Sequence, residues 1–109
     1  SMAREKFQTL TEQMFYILLS LQEELCGADV MSRVESLTDG RVTVGPGTLY
    51  HLLDEFLTAG MIEETKAEGR RRSYRITPAG QSALEAEYRR LRVLVTDYEA
   101  CIHQGGSAE

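Results

Sequence analysis

Apolar side chains recur at helical spacing in the first part of the chain. Thr11 is a favourable N-cap, and the apolar residues within 14–21 predict a largely buried helix that ends near Glu24. A second amphipathic helix is predicted to begin at Gly27 and to stop at Gly40, a residue that suits a left-handed C-cap. The apolar run of the first helix is far shorter than the roughly 20 residues that a membrane-spanning helix needs.

A third helix is predicted from Pro46 to about Ala59. Proline is favourable in the first helical turn because the N–H that it lacks would have no partner there, and Gly60 suits the end of the helix. The preceding residues 41–44 alternate between apolar and polar side chains, which predicts either a plain link or a short strand.

The period then changes from helical to alternating. Residues 61–66 and 72–77 predict two short strands, joined by a loop at 67–70 with Gly69 at the bend. A last helix is predicted over residues 78–103, a length of about 39 Å at 1.5 Å per residue.

This order of elements predicts a mostly α chain with a small β-hairpin. Three short helices followed by a hairpin form a winged helix-turn-helix, in which the hairpin is the wing and the third helix is the recognition helix. We expect a winged helix-turn-helix domain over residues 11–77, a C-terminal dimerisation helix over 78–103, and flexible termini at 1–10 and 104–109.

The dimerisation helix is predicted from a heptad pattern. Its apolar residues follow one another at alternating steps of four and three, which is typical of a seam between two helices. A chain of 109 residues has too little remaining surface to cover about 39 Å of helix by itself. We therefore predict a homodimer whose interface contains Leu84, Tyr88, Leu91, Val95, Tyr98 and Ile102.

Charge is unevenly distributed along the chain. The net charge is −5, which by itself disfavours nucleic acid as a partner. Residues 66–75, however, hold five basic residues and one acidic residue, so this segment is +4 and the rest of the chain is −9. Phosphates respond to the local field within about 10 Å at 0.1 M salt, so the wing can still contact DNA. The acidic pairs at 23–24 and 63–64 are interpreted as solvated surface charge.

Two groups of side chains are candidates for contact with double-stranded DNA. The first residues of a recognition helix face base edges and phosphates, and arginine is favoured in a narrow minor groove. The candidates are Gly47, Thr48, Tyr50 and His51 on the helix, and Lys66, Arg70, Arg71 and Arg72 on the wing. The acidic Asp54 and Glu55 predict that only the first turn of the helix approaches DNA.

Catalytic and metal-binding chemistry is not indicated. His51 and His103 have no nearby residues in the pattern of a nucleophile and its base, and the spacing of Cys26 and Cys101 matches no metal site. We expect no enzyme activity, cofactor or metal. Reduced thiols are expected at both cysteines, with a redox switch across a dimer interface as the alternative. The absence of a targeting pattern predicts a cytoplasmic protein.

Several short motifs together resemble the PadR family of transcriptional regulators. They are Pro46-Gly-Thr-Leu-Tyr50, Leu57-Thr-Ala-Gly-Met-Ile62, and Arg72-Ser-Tyr-Arg-Ile-Thr77 followed by Gly80. The resemblance covers about residues 11–102. It implies a winged-helix repressor of the short subgroup, which has a single C-terminal helix and dimerises through its C-terminal and N-terminal helices. It also implies DNA contacts by Thr48, Tyr50, Arg70, Arg71 and Arg72.

The sequence departs from the family in the last helix, which has no tryptophan. Some short members use that residue to bind flat ligands at the centre of the dimer. An apolar small-molecule effector would here contact Tyr88, Leu91, Val95 and Tyr98, and the alternative is that these residues form a plain dimer seam. Two other functions stay open beside DNA binding: a winged-helix protein–protein adaptor, which the acidic remainder of the chain favours, and a small-molecule sensor.

Overall fold

The structure, a computed structural model, describes the backbone of residues 9–106 and the side chains of residues 9–104. Its elements, in chain order, are α1 (Glu12–Ser20), β1 (Leu25–Cys26), α2 (Gly27–Leu37), α3 (Pro46–Thr58), β2 (Ile62–Glu68), β3 (Arg71–Ile76) and α4 (Pro78–Gly106). The strands form one antiparallel sheet in the order β1-β3-β2. The predicted fold class, mostly α with a small hairpin, is confirmed.

The core lies where the helices, the sheet and the start of α4 meet. Ile17 of α1, Val30 of α2 and Phe56 of α3 are completely buried there, and Met61 closes the core on the side of the sheet. Leu84 of α4 belongs to the same core and is only 7% exposed. This corrects its assignment to the dimer seam, because its surface is already covered by its own chain.

A buried threonine shapes the link between the helices of the helix-turn-helix, α2 and α3. The Thr38 hydroxyl donates to a carbonyl in the last turn of α2 at 2.9 Å and accepts from the Val42 N–H at 3.1 Å. Gly40 has a φ of 76°, the left-handed conformation predicted for it. Residues 41–44 form a plain link and no strand, with Val42 and Val44 buried.

The first helix ends earlier than predicted. It stops at Ser20 instead of near Glu24, because the chain that follows is drawn into the sheet. The Leu21 carbonyl accepts a hydrogen bond from the Ile76 N–H at 2.9 Å, and Leu25–Cys26 then pairs with the middle of β3. This two-residue strand was not predicted, and it attaches the start of α2 to the wing.

The wing, β2 and β3, is longer and turns more tightly than predicted. Pairing extends to Glu68 opposite Arg71, so the turn contains only Gly69 and Arg70 instead of the predicted loop 67–70. Gly69 has a φ of 63°, which fits a two-residue hairpin turn with glycine in the first position. A bulge interrupts the pairing midway along β2, and such bulges increase the local twist of a hairpin.

The start of α4 is packed tightly against the residues that follow α3. Thr77 caps α4, because its hydroxyl accepts from the Gly80 N–H at 3.2 Å while it donates to the Gly60 carbonyl at 2.6 Å. A Cβ atom on Gly80 would overlap the Met61 carbonyl oxygen and would lie 2.6 Å from Ile76 Cγ1. The close approach therefore depends on the missing side chain of Gly80.

We expect the substitution Gly80→Ala to lower the free energy of unfolding by about 2 kcal/mol, because the added methyl group meets backbone that cannot move cheaply. For a domain of this size that corresponds to a fall in Tm of roughly 8 to 16 °C, measurable by circular dichroism. Gly47→Ala is the matched control, since a Cβ atom there would have no neighbour within 4 Å. Equal melting temperatures for the two variants would contradict the tight junction.

A buried carboxylate ties the N-terminal segment to α4. Glu87 is 3% exposed, and it accepts from the Leu10 N–H at 3.2 Å and from the Arg90 guanidinium at 3.0 and 2.5 Å. The hydrogen bond from Arg90, helped by the one from Leu10, lowers the pKa of Glu87 although burial opposes the shift. Leu10, the last residue of the segment predicted to be a flexible terminus, is buried in the core. Residues 1–8 and 107–109 lie outside the described part of the chain.

The second half of α4 extends beyond the core. The helix reaches Gly106 instead of ending at His103, and every side chain from residue 91 to residue 104 is exposed. The radius of gyration is 16.6 Å, whereas a compact domain of this length has about 13 Å. None of the helices within residues 9–106 is both long and apolar enough to cross a membrane.

Candidate nucleic-acid interface

The first turn of α3 is open to solvent. Gly47, Thr48 and His51 are all exposed. Gly45 at the N-cap is exposed too, and as a glycine it has no side chain that could cap the helix. The first N–H groups of the helix are therefore available to an external acceptor. His51 lies 2.9 Å from Glu55 one turn further along, so its imidazole is held by a carboxylate of its own helix.

Tyr50 belongs to the same helix but lies against the start of α2. A Cβ atom on Gly27 would be 2.6 Å from the Tyr50 hydroxyl oxygen, so the phenol ring rests on the backbone of Gly27. Tyr50 nevertheless keeps 47% of its surface exposed. Its hydroxyl thus lies where the two helices of the helix-turn-helix meet, at the start of α2.

A cleft of about 660 Å³ opens between the start of α2, Tyr50 and the wing. Four of the eight predicted DNA-contact residues line it: Tyr50, Arg70, Arg71 and Arg72. Gly47, Thr48 and His51 are not part of this lining and stand on the neighbouring exposed turn of α3. Lys66 lines a second cleft, of about 260 Å³, on the other side of Arg71 and Asp29.

Carboxylates accompany most of the basic side chains of the wing. The pairs are Arg71 with Asp29 at 3.5 Å, Arg72 with Glu64 at 3.0 Å, and Lys66 with Glu68 at 3.5 Å and with Glu24 at 3.8 Å. Within residues 9–104, Arg70 at the turn makes no ion pair. The interpretation of the acidic pairs 23–24 and 63–64 as merely solvated charge is therefore wrong for Glu24 and Glu64.

The environment of the cleft shifts two pKa values. A hydrogen bond to the Cys26 sulfur raises the pKa of Arg71, and the nearby carboxylate of Asp29 adds to the shift. Burial raises the pKa of the Tyr74 phenol, and the nearby charge of Glu64 adds to the shift. At neutral pH the cleft therefore presents charged guanidinium groups and a neutral phenol, which suits an anionic ligand that accepts hydrogen bonds.

The contribution of α2 to this surface could not be predicted from the sequence. Asp29 is brought to the wing because β1 pairs with β3, and two residues are too few to produce a recognisable strand pattern. Among the residues that the structure describes, no three or more His, Cys, Asp or Glu side chains form a group that could hold a metal ion.

Comparison with protein families places this arrangement among known regulators. Residues 17–86, from α1 to the first turns of α4, match the model of the transcriptional regulator PadR-like family. The chain belongs to this family. The PadR-like resemblance predicted from the short motifs is therefore confirmed. PadR-like proteins are DNA-binding transcriptional regulators, and theirs is not a family of enzymes.

Several solved structures share the fold of this PadR-like chain. A regulator from Clostridium thermocellum has a TM-score of 0.69 and 20% identity, over 82% of this chain and 90% of that chain. A PadR family regulator from Eggerthella lenta has a TM-score of 0.68 and 23% identity, over 82% and 80%. RosR from H. salinarum has a TM-score of 0.62 and 23% identity, over 86% and 97%. Comparison with curated proteins gives no match.

Proposed function

We propose that this PadR-like protein binds a specific sequence of double-stranded DNA as a homodimer and represses transcription. The observation that supports the proposal most is the cleft in which Tyr50 and three arginines meet beside the open first turn of α3. A helix terminus, a phenol and guanidinium groups on one surface are the groups that bind phosphates and base edges.

In the proposed complex the first turn of α3 enters the major groove. Thr48 and His51 are exposed hydrogen-bonding side chains, and Gly47 leaves open space in which the DNA backbone can come close to the helix. The exposed carboxylate of Asp54 lies one turn further along and repels phosphates, so only the first turn makes contact.

The wing is proposed to follow the DNA backbone or to enter the minor groove beside the recognition helix. Arg70 stands at the turn, and Arg71 and Arg72 follow on β3, so their guanidinium groups cover the edge of the cleft. Lys66 adds a positive charge on β2. Arginine is favoured where the minor groove is narrow and its negative potential is strongest.

The part of α4 from Tyr88 onward is proposed as the dimer interface. Its apolar residues are between 38% and 66% exposed in the single chain: Tyr88, Leu91, Val95, Tyr98 and Ile102. Exposed apolar surface that continues along one side of a helix marks an interaction site, and heptad spacing fits a second copy of the same helix. The domain 11–77 would then bind DNA and helix 78–103 would join two copies. An apolar effector between these helices stays a prediction.

The test is binding to a DNA fragment from upstream of the protein's own gene, with excess random-sequence DNA as competitor at physiological salt. We expect a Kd on the order of 10⁻⁸ M or tighter that survives the competitor. Footprinting should show two protected half-sites about one helical turn apart, as expected for a two-fold dimer. If the competitor abolishes binding to every upstream fragment, the proposal is overturned and the protein–protein adaptor is favoured.

A further inference from the structure

The wing of the free protein is largely neutralised by its own carboxylates. Arg71 is held by Asp29 from the first turn of α2, and Arg72 is held by Glu64 from the adjacent strand. Asp29 lines the same cleft as the arginines, so an acidic group stands inside the surface that is expected to receive phosphate. Among the described residues, two basic residues of the wing make no such ion pair: Arg70 at the turn, which lines the cleft, and Arg75 near the end of β3, which does not.

We propose that Asp29 and Glu64 mask the wing, so that each arginine must exchange a carboxylate for a phosphate when the protein binds DNA. This inference rests on the proposed function, because it concerns the same surface. It assigns to two acidic residues the task of lowering the affinity of the wing for the DNA backbone.

The exchange has a definite electrostatic consequence. A guanidinium that contacts a phosphate releases counterions from DNA, which strengthens binding at low salt. The carboxylate that it leaves behind remains close to the phosphates and repels them, and it attracts a cation of its own. Asp29 and Glu64 thus weaken binding and also reduce its dependence on salt. Both pairs are partly exposed, so each exchange is expected to change affinity only a few-fold.

Masking affects sequence-independent binding directly. That binding derives almost entirely from phosphate contacts, whereas operator binding also includes contacts from the first turn of α3. A wing with free arginines would be held more strongly by the large excess of non-operator DNA in a genome. The carboxylates keep that background affinity low while Arg70 remains available for the first encounter.

The probe is a random-sequence duplex, with Kd measured by fluorescence anisotropy over a series of salt concentrations. We expect Asp29→Asn and Glu64→Gln each to tighten binding about three- to fivefold at 0.15 M salt, and the double variant roughly tenfold or more. The plot of log Kd against log salt should become steeper by up to about 0.9 for each phosphate contact that is no longer opposed. The difference from wild type should shrink as salt screens the charges.

Glu85→Gln is the matched control. Glu85 pairs with Arg89 at 3.2 Å, also on the surface, but on α4 and away from the wing. The Glu85→Gln variant loses one negative charge, as the two wing variants do, so it reports the effect of net charge alone. If Asp29→Asn and Glu64→Gln match Glu85→Gln in both Kd and salt slope, the masking is refuted.

Failure of the masking can be told apart from failure of the proposed function. Wild-type binding to the upstream fragment in the presence of competitor tests the regulator, whereas the variants are read on random DNA without any operator. Melting curves of the variants show whether they are folded. Asp29→Asn removes an acidic residue from the first turn of α2, which can lower the stability of that helix. Glu64→Gln lies on a strand, so it tests the masking independently of that effect.

Discussion

Replacing Arg70, Arg71 and Arg72 together with glutamine should weaken operator binding by roughly 10² to 10⁴-fold at physiological salt. The triple variant removes up to three phosphate contacts from each protomer, and each contact contributes about 0.9 to the slope of log Kd against log salt. The slope should therefore become shallower by about 2.7 for each protomer if all three arginines touch phosphates. All three side chains line the open cleft, so the folded domain should keep its Tm.

Single substitutions distinguish the three arginines. Arg70→Gln should have the largest effect because Arg70 has no carboxylate to give up within the described residues, whereas Arg71 and Arg72 each leave one behind. Arg89→Gln on α4 provides the control, since Arg89 is 75% exposed and paired in a similar way with Glu85. A salt slope that stays at the wild-type value in the triple variant would remove the wing from the binding mechanism.

Replacing Leu91 and Val95 together with aspartate should convert the proposed dimer into a folded monomer. The side chains are 38% and 56% exposed in the single chain, so the change costs the domain little but places two charges in the middle of the proposed seam. Loss of the second half-site removes the gain from bivalent binding, and operator affinity should fall by roughly 10²-fold or more. Light scattering after size exclusion gives the mass, and anisotropy gives the affinity.

Val93→Asp serves as the control for the same helix. Val93 is 58% exposed, but it lies two positions from Leu91 and two from Val95, about 200° around the helix, which puts it on the opposite side of α4. It should remain dimeric and bind the operator as the wild type does. A double variant that still has twice the mass of one chain would show that the protein dimerises through another surface.

The helices could be predicted because their signals are local. Pro46 and Pro78 mark the starts of α3 and α4, and Gly40 and Gly60 mark turns that need a left-handed backbone. These residues act through their own φ angles or their own missing N–H groups, so no knowledge of distant contacts is needed. The overall order of elements followed from them.

The errors in the fold occur where distant segments decide the outcome. α1 was predicted to continue to Glu24, but pairing of Leu25–Cys26 with β3 pulls the chain away from the helix. Leu84 fits the heptad pattern of α4 as well as its neighbours do, and only the position of the core shows that it is covered by its own chain. Spacing identifies an apolar side of a helix but cannot assign each residue on it to one partner.

The candidate interface was predicted by residue type but not by arrangement. Arginines at a turn are visible in the sequence, whereas the carboxylate of Asp29 is separated from Arg71 by 42 positions and meets it only through the sheet. The contact of Tyr50 with Gly27 is hidden for the same reason, since it joins two helices across the link that Thr38 shapes. Ion pairs and close approaches between elements require the tertiary structure.

The different surroundings of the two cysteines provide a way to observe the proposed subunit pairing in the unmodified chain. Cys26 is 6% exposed and lies against Arg71, whereas Cys101 is exposed on the last turns of α4. A thiol-reactive dye should consequently attach at one position per chain. Mixing donor-labelled with acceptor-labelled protein would then report the rate at which subunits exchange, and adding operator DNA to the mixture would show whether DNA slows that exchange.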